Sequence, residues 1–137
     1  MKLKRKSVQQ LKVDAWELFS ELIRRRDADW KGEATCCTCG VRKDWRRGDA
    51  GHFLSGRNNS ILFDERGVNF QCKQCNGGLR VGITVPDIQN RYEEFMLKKH
   101  GKEVVDEIKR NKTQTLQFTT NQLELFIISL KDRIKNL

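Results

Sequence analysis

One proline, Pro86, stands in 137 residues, and no stretch is enriched in glycine and serine. Flexible linkers and low-complexity arms are built from those residues, so none is expected to divide the chain. No apolar run approaches the roughly 20 residues that a bilayer-crossing helix needs. The opening Met1-Lys2-Leu3-Lys4-Arg5-Lys6 has no apolar stretch to serve as a secretory leader. Histidine is scarce, with only His52 and His100. Acid is outnumbered: 27 Lys and Arg stand against 18 Asp and Glu, a formal charge of +9. That balance points to a polyanionic partner, with nucleic acid first. The basic residues are spread over Lys2 to Lys6, Arg24 to Arg26, Arg42 to Arg47, Arg57, Lys73, Arg80 and Lys98 to Lys102, and several flank the cysteines.

The cysteines carry the strongest pattern. Cys36 and Cys39 form one Cys-x-x-Cys turn, and Cys72 and Cys75 form a second. A two-residue spacer lets two sulfurs of one loop reach the same ion, so the four suit a tetrahedral structural Zn²⁺. Gly40 and Gly77 fall where such turns often need a positive φ. Disulfides would need an oxidising compartment, which the opening residues do not indicate. A redox Cys-x-x-Cys does not usually come as two pairs around one insert. Cys37 is the odd cysteine; it can replace Cys36 as a ligand, but the spacing to Cys39 favours Cys36 and leaves Cys37 as a small packed residue.

Periodicity predicts an amphipathic helix over residues 8 to 26, with Val8, Leu11, Ala15, Phe19 and Leu22 on one stripe, widened by Trp16, Leu18 and Ile23, and Ser7 as N-cap. Short strands are predicted at Ala50 to Leu54 and Val68 to Cys72, around the loop Ser55 to Ser60. A helix is expected from near Cys75, close to Gly77 and Gly78. Thr84-Val85-Pro86-Asp87 resembles a capping box with proline in the first turn, the stripe Val85, Ile88, Tyr92 and Phe95 continues from it, and Gly101 is the expected stop. A short helix follows through Val104, Val105 and Ile108. Thr113 to Thr120 reads as extended chain or loop. Leu123, Phe126, Ile127, Leu130, Ile134 and Leu137 mark a last helix whose stripe is core or dimer contact. The organisation is therefore α+β: an N-terminal helical arm (1–30), a zinc-bound core (31–84) and a C-terminal helical region (85–137).

Between the cysteine pairs lies Asp49-Ala50-Gly51-His52-Phe53, and Asn76 follows the last cysteine. Phosphodiester hydrolysis needs an activated water, neutralised phosphoryl charge and help for the leaving oxygen. His52 is of the right type to take the water's proton. Asn76 and Asp49 offer hard oxygen ligands suited to Mg²⁺ or Mn²⁺. Alone, His52 reads better as a packed histidine; its place inside the cysteine frame reverses that. His100, in Lys98-Lys99-His100-Gly101, reads as a surface C-cap position.

The order Cys-x-x-Cys, Gly-His, Cys-x-x-Cys-Asn resembles the HNH (ββα-metal) endonucleases, especially the phage endonuclease VII type. Leu22 to Ala28, Cys36 to Gly40, Asp49 to Phe53 and Phe70 to Asn76 together resemble the phage NinG (Rap) recombination proteins; Tyr92 to Leu137 fits their helical tail less specifically. The resemblance implies a zinc-stapled HNH-like core between helices, and a nuclease that cuts branched recombination intermediates such as Holliday junctions and D-loops in the host cytoplasm. It implies Mg²⁺ or Mn²⁺ as catalytic metal, His52 as general base and Asn76 as metal ligand. Many HNH enzymes carry an acidic ligand just before the histidine, where this chain has Gly51. Asp49 can substitute if Gly51 permits a bulge; Asp64 and Glu65 are other candidates. Arg57 is a candidate for holding the scissile phosphate or a solvated surface residue.

The leading expectation is thus a branched-DNA endonuclease, naturally a homodimer because resolving a junction takes two cuts related by a two-fold axis, and able to work beside a recombinase. The alternatives are a non-catalytic zinc-stapled DNA-binding or recombination accessory module, and an HNH nicking endonuclease without branch specificity. No base-reading helix signature is visible, so phosphate contacts and shape recognition fit better.

Overall fold

The chain is described by a computed structural model that covers residues 4–77 and 82–137. Lys2, Gly78 and Arg80, singled out above, lie outside the described residues.

Helix α1 runs Val8–Arg26. The Ser7 hydroxyl accepts from the Gln10 N–H at 3.1 Å and caps it. Leu11, Ala15, Phe19, Leu22 and Ile23 are buried on one face, and Arg24 to Arg26 occupy the last turn, where cations suit the helix dipole. The chain then forms a small antiparallel hairpin that the sequence did not announce: β1 (Glu33–Thr35) and β2 (Arg42–Asp44). Its connecting turn carries Cys36 and Cys39, and Gly40 closes it at φ +80°. A 3₁₀ turn at Trp45–Arg47 leads into β3 (Gly48–His52).

The second antiparallel pair is β3 with β4 (Val68–Cys72), in register from Gly48↔Cys72 to His52↔Val68. β3 begins and ends two residues before the predicted span. Beyond His52 the Phe53 N–H bonds the Gly67 carbonyl at 2.8 Å and its ring drops into the core, so the chain leaves the ladder. The predicted loop starts as a turn, but Asn59–Leu62 forms a short helix, α2, and Glu65–Gly67 a 3₁₀ turn. The ladder is continuous, so the bulge expected at Gly51 is absent. Helix α3 (Lys73–Gly77) starts two residues before the expected point, which puts Gly77 in helical geometry and corrects the positive φ expected there.

Helix α4 spans Val85–His100, capped by Thr84, whose hydroxyl accepts from the Asp87 N–H at 3.2 Å; it ends at Gly101, φ +87°. Helix α5 covers Lys102–Lys112 and α6 covers Thr120–Lys135. The reciprocal capping box is at α6: Thr119 and Gln122 exchange hydrogen bonds of 3.1 and 3.0 Å. His100 is half-buried, with its Nε2 enclosed and unpartnered among the described residues, which corrects the surface reading. Leu137 is exposed, so the last stripe ends at Ile134.

The β3–β4 pair lies between two helix pairs. On one side Ala50 and Val68 pack with Ala15, Phe19 and Ile23 of α1 and Leu130 of α6. On the other, Phe53 and Ile61 pack with Tyr92 and Met96 of α4 and Val105 and Ile108 of α5. β4 is wholly buried, so its outer edge must find polar partners within the protein. The Phe70 N–H donates to Asp27 at 2.8 Å, the Phe70 carbonyl accepts from the Cys37 N–H at 3.0 Å, and Arg26 donates to the Val68 carbonyl at 2.9 Å. No helix among the described residues is long and apolar enough to cross a membrane.

Candidate functional site

Cys36, Cys39, Cys72 and Cys75 converge, with their four sulfurs all within 4.8 Å of one another. The Cys39 and Cys72 sulfurs stand 3.8 Å apart, far beyond a disulfide bond, and none of the five cysteines is in a disulfide among the described residues. Tetrahedral zinc with Zn–S bonds near 2.3 Å places sulfurs about 3.8 Å apart, so the set fits that ion. Burial raises the Cys36 thiol, but the Thr38 hydroxyl and backbone N–H groups outweigh it and bring the thiol down to about 6. Burial, with the charge on Cys36 among the further causes, pushes Cys39 and Cys75 up. Crowded thiolates of this kind are relieved by a divalent cation. Cys37 lies apart from them, with the Tyr92 cluster, and burial raises it strongly. It is the small packed residue.

The cluster ties the start of α3 to the β1–β2 turn, and the residue after Cys75 is Asn76. Beside it opens a cleft of about 340 Å³, lined by Trp16, Asp49, His52, Arg57, Asn76 and Tyr92 among others. The structure thus brings together the four residues that the sequence offered from separate segments: Asp49, His52, Arg57 and Asn76.

Asp49 and Asn76 meet directly. The Asn76 side-chain N–H donates to Asp49 Oδ2 at 3.1 Å, and Lys73 Nζ holds Asp49 Oδ1 at 2.9 Å. Gly51 makes this approach possible without a bulge. A Cβ at that position would stand 1.8 Å from Gln71 Oε1 and 3.1 Å from Asn76 Oδ1. The missing side chain is therefore the space into which the Gln71 and Asn76 amides enter. A carboxylate and an amide carbonyl side by side are a hard donor pair that fits Mg²⁺ or Mn²⁺, which keep several water or phosphate ligands. Asp64 and Glu65 do not line the cleft; Asp64 pairs with Arg66 at 2.8 Å and Glu65 with Arg133.

His52 is oriented by groups that carried no sequence signal. Its Nε2 lies 3.1 Å from the Leu62 carbonyl. A carbonyl only accepts, so Nε2 carries the hydrogen and Nδ1 keeps its lone pair. The Trp16 indole stacks on the imidazole at 5.0 Å and 17°, and the Arg57 guanidinium lies 4.6 Å from the centre of the same indole. Burial lowers the His52 pKa from 6.5, the Leu62 carbonyl opposes this, and the Arg57 charge lowers it further. The ring is thus held neutral at pH 7. Tyr92 donates its hydroxyl to the Gly51 carbonyl at 2.6 Å and fixes the strand beside His52. Trp16 and Tyr92 were visible only as members of apolar stripes.

The family model described as Bacteriophage Lambda NinG protein matches residues 1–137 of the chain. No curated protein and no solved structure matches it.

Proposed function

We propose, from the premise that the chain belongs to the bacteriophage lambda NinG family, that it is a metal-dependent endonuclease acting on branched DNA intermediates of phage recombination. The observation that carries this reading is the His52 imidazole, its Nε2 held by the Leu62 carbonyl, lining one cleft with the Asp49–Asn76 pair. The strand–strand–helix order of β3, β4 and α3, with histidine on the first strand and asparagine on the helix, supports an HNH-like core.

In this reading His52 Nδ1 takes the proton of the attacking water. Asp49 and Asn76 would hold a Mg²⁺ or Mn²⁺ ion, whose chemistry there would be to neutralise phosphoryl charge and stabilise the departing 3′ oxygen. Arg57 binds the scissile phosphate, and its stacking on Trp16 keeps it beside His52. The four cysteines would hold a structural zinc away from the chemistry, fixing α3, hence Asn76, to the hairpin. Two symmetric cuts at a junction call for a homodimer, working in the host cytoplasm beside the recombination machinery.

The test is cleavage of a labelled four-way junction and a linear duplex of the same sequence, with Mg²⁺, with Mn²⁺ and with neither. Metal-dependent cutting of the junction is expected. His52→Ala should slow it by about 10²–10⁴-fold, the usual contribution of a general base, with binding retained. Equal cutting of both DNAs would remove branch specificity; binding without cutting under either metal would leave a zinc-stapled DNA-binding module.

A further inference from the structure

Trp30 is 88% exposed, in the turn that joins α1 to β1. An indole left this open gives up burial that a folded chain ordinarily uses, and such a ring is a ready platform for a flat partner. The other tryptophans differ: Trp16 stacks on His52, and Trp45 lies among Arg24, Arg25 and Arg46, with guanidiniums 4.6–5.7 Å from its ring centre. Trp30 has the Lys31 ammonium 5.1 Å from its ring centre.

Around Trp30 the acids Asp29, Glu33 and Asp44 are paired with Arg42 and Arg46, and a basic groove lies beyond them toward the cleft. The Trp45 N–H donates to the Gly32 carbonyl at 3.0 Å, so the Asp29–Gly32 turn and the Trp45–Arg47 turn lie together, at the end of the β1–β2 hairpin opposite the cysteines. Next to them is a groove of about 530 Å³ lined by Lys43, Arg46, Arg47, Lys73 and Gln74. Lys43 and Arg47 make no ion pair among the described residues. Lys73, at the groove's other end, holds Asp49 of the candidate site. Charge thus runs from the exposed indole to the cleft.

The geometry points to a branch-reading surface: the groove takes the phosphates of one strand, and Trp30 stacks on a base whose face is open at the branch point. This rests on the branched-DNA reading above and deepens it. In a continuous duplex every base is covered on both sides, so an indole finds no face to stack on; at a junction it does. Stacking on an exposed base tolerates any sequence, and phosphate contacts carry none, which suits recognition by shape.

The experiment measures binding without divalent cation, so that nothing is cut. Anisotropy of a labelled four-way junction and of the matching linear duplex is compared for the wild type, Trp30→Ala, Trp30→Phe and Arg47→Ala. Trp30→Ala should weaken junction binding about tenfold and leave duplex binding nearly unchanged, with Trp30→Phe restoring it, as expected for one lost base–aromatic stack. A 2-aminopurine placed at the branch should be quenched by the wild type and not by Trp30→Ala. Arg47→Ala should weaken both DNAs alike and flatten the salt dependence. Equal loss on junction and duplex from Trp30→Ala, no loss on either, or a wild type without junction preference would each overturn the proposal. Cutting is read separately: failure of the nuclease reading shows as intact discrimination without cleavage.

Discussion

The proton on His52 answers to three neighbours, and one of them can be removed without touching the ring. Arg57 lowers the His52 pKa by its charge and lies beside the same indole on which His52 stacks. In Arg57→Ala the pKa should rise toward 6.5, and the acid limb of the kcat/KM profile should move to higher pH with it. kcat/KM at the optimum should fall about tenfold or more, since a hydrogen bond to a charged group is worth roughly 1.5–3 kcal/mol. The sign for stability follows from the same shift. The folded state binds this proton less readily than the unfolded chain, so stability is present above 6.5 and falls as pH drops below it. Arg57→Ala should soften that loss. A proton NMR titration of the His52 ring beside a pH–rate profile checks both; an unmoved His52 titration would remove Arg57 from the account.

At the scale of elements, the four-cysteine cluster positions a helix of only five residues, Lys73–Gly77, too short to hold itself. Cys75→Ser should abolish stoichiometric zinc, lower Tm by more than about 10 °C and stop cleavage, although Cys75 touches no reacting group. Cys37→Ala should keep its zinc, because that sulfur packs by Tyr92. Metal analysis with thermal unfolding distinguishes the two. The elements also differ in how far the sequence revealed them. α1 and α4 were legible to their ends because Ser7, Thr84 and Gly101 mark them chemically, and β4 because Val68, Phe70 and Cys72 alternate with Asn69 and Gln71. β3 was displaced by two residues because Gly48 and Asp49 are poor strand formers, while Phe53 looks like strand and is core. The β1–β2 hairpin was missed because strands of three residues, Glu33–Thr35 and Arg42–Asp44, are too short to show a period. The candidate site was legible as residue types: Asp49, His52, Arg57 and Asn76 line one cleft. Its means of alignment were not, since the Leu62 carbonyl belongs to the backbone and Trp16 reads as an ordinary helix position.

For the whole molecule, the two ends of the chain close the fold. α1 and α6 pack on each other and on the β3–β4 pair, with Leu130 fully buried beside Ala15, Phe19 and Val68. α6 therefore supports Trp16 and His52 through the core it shares with α1 and the β3–β4 pair, and contributes no residue to the cleft. Trimming Leu130 to alanine leaves a cavity in that shared core and should cost about 2–5 kcal/mol. It removes no group from the cleft, so at a temperature where the variant is still folded kcat should stay within about twofold of wild type, distant sites being nearly independent. Circular dichroism melts and junction cleavage at low temperature decide this. A large fall in kcat at full folding would show that α6 reaches the site by a route other than core support, such as a subunit contact that both cuts require.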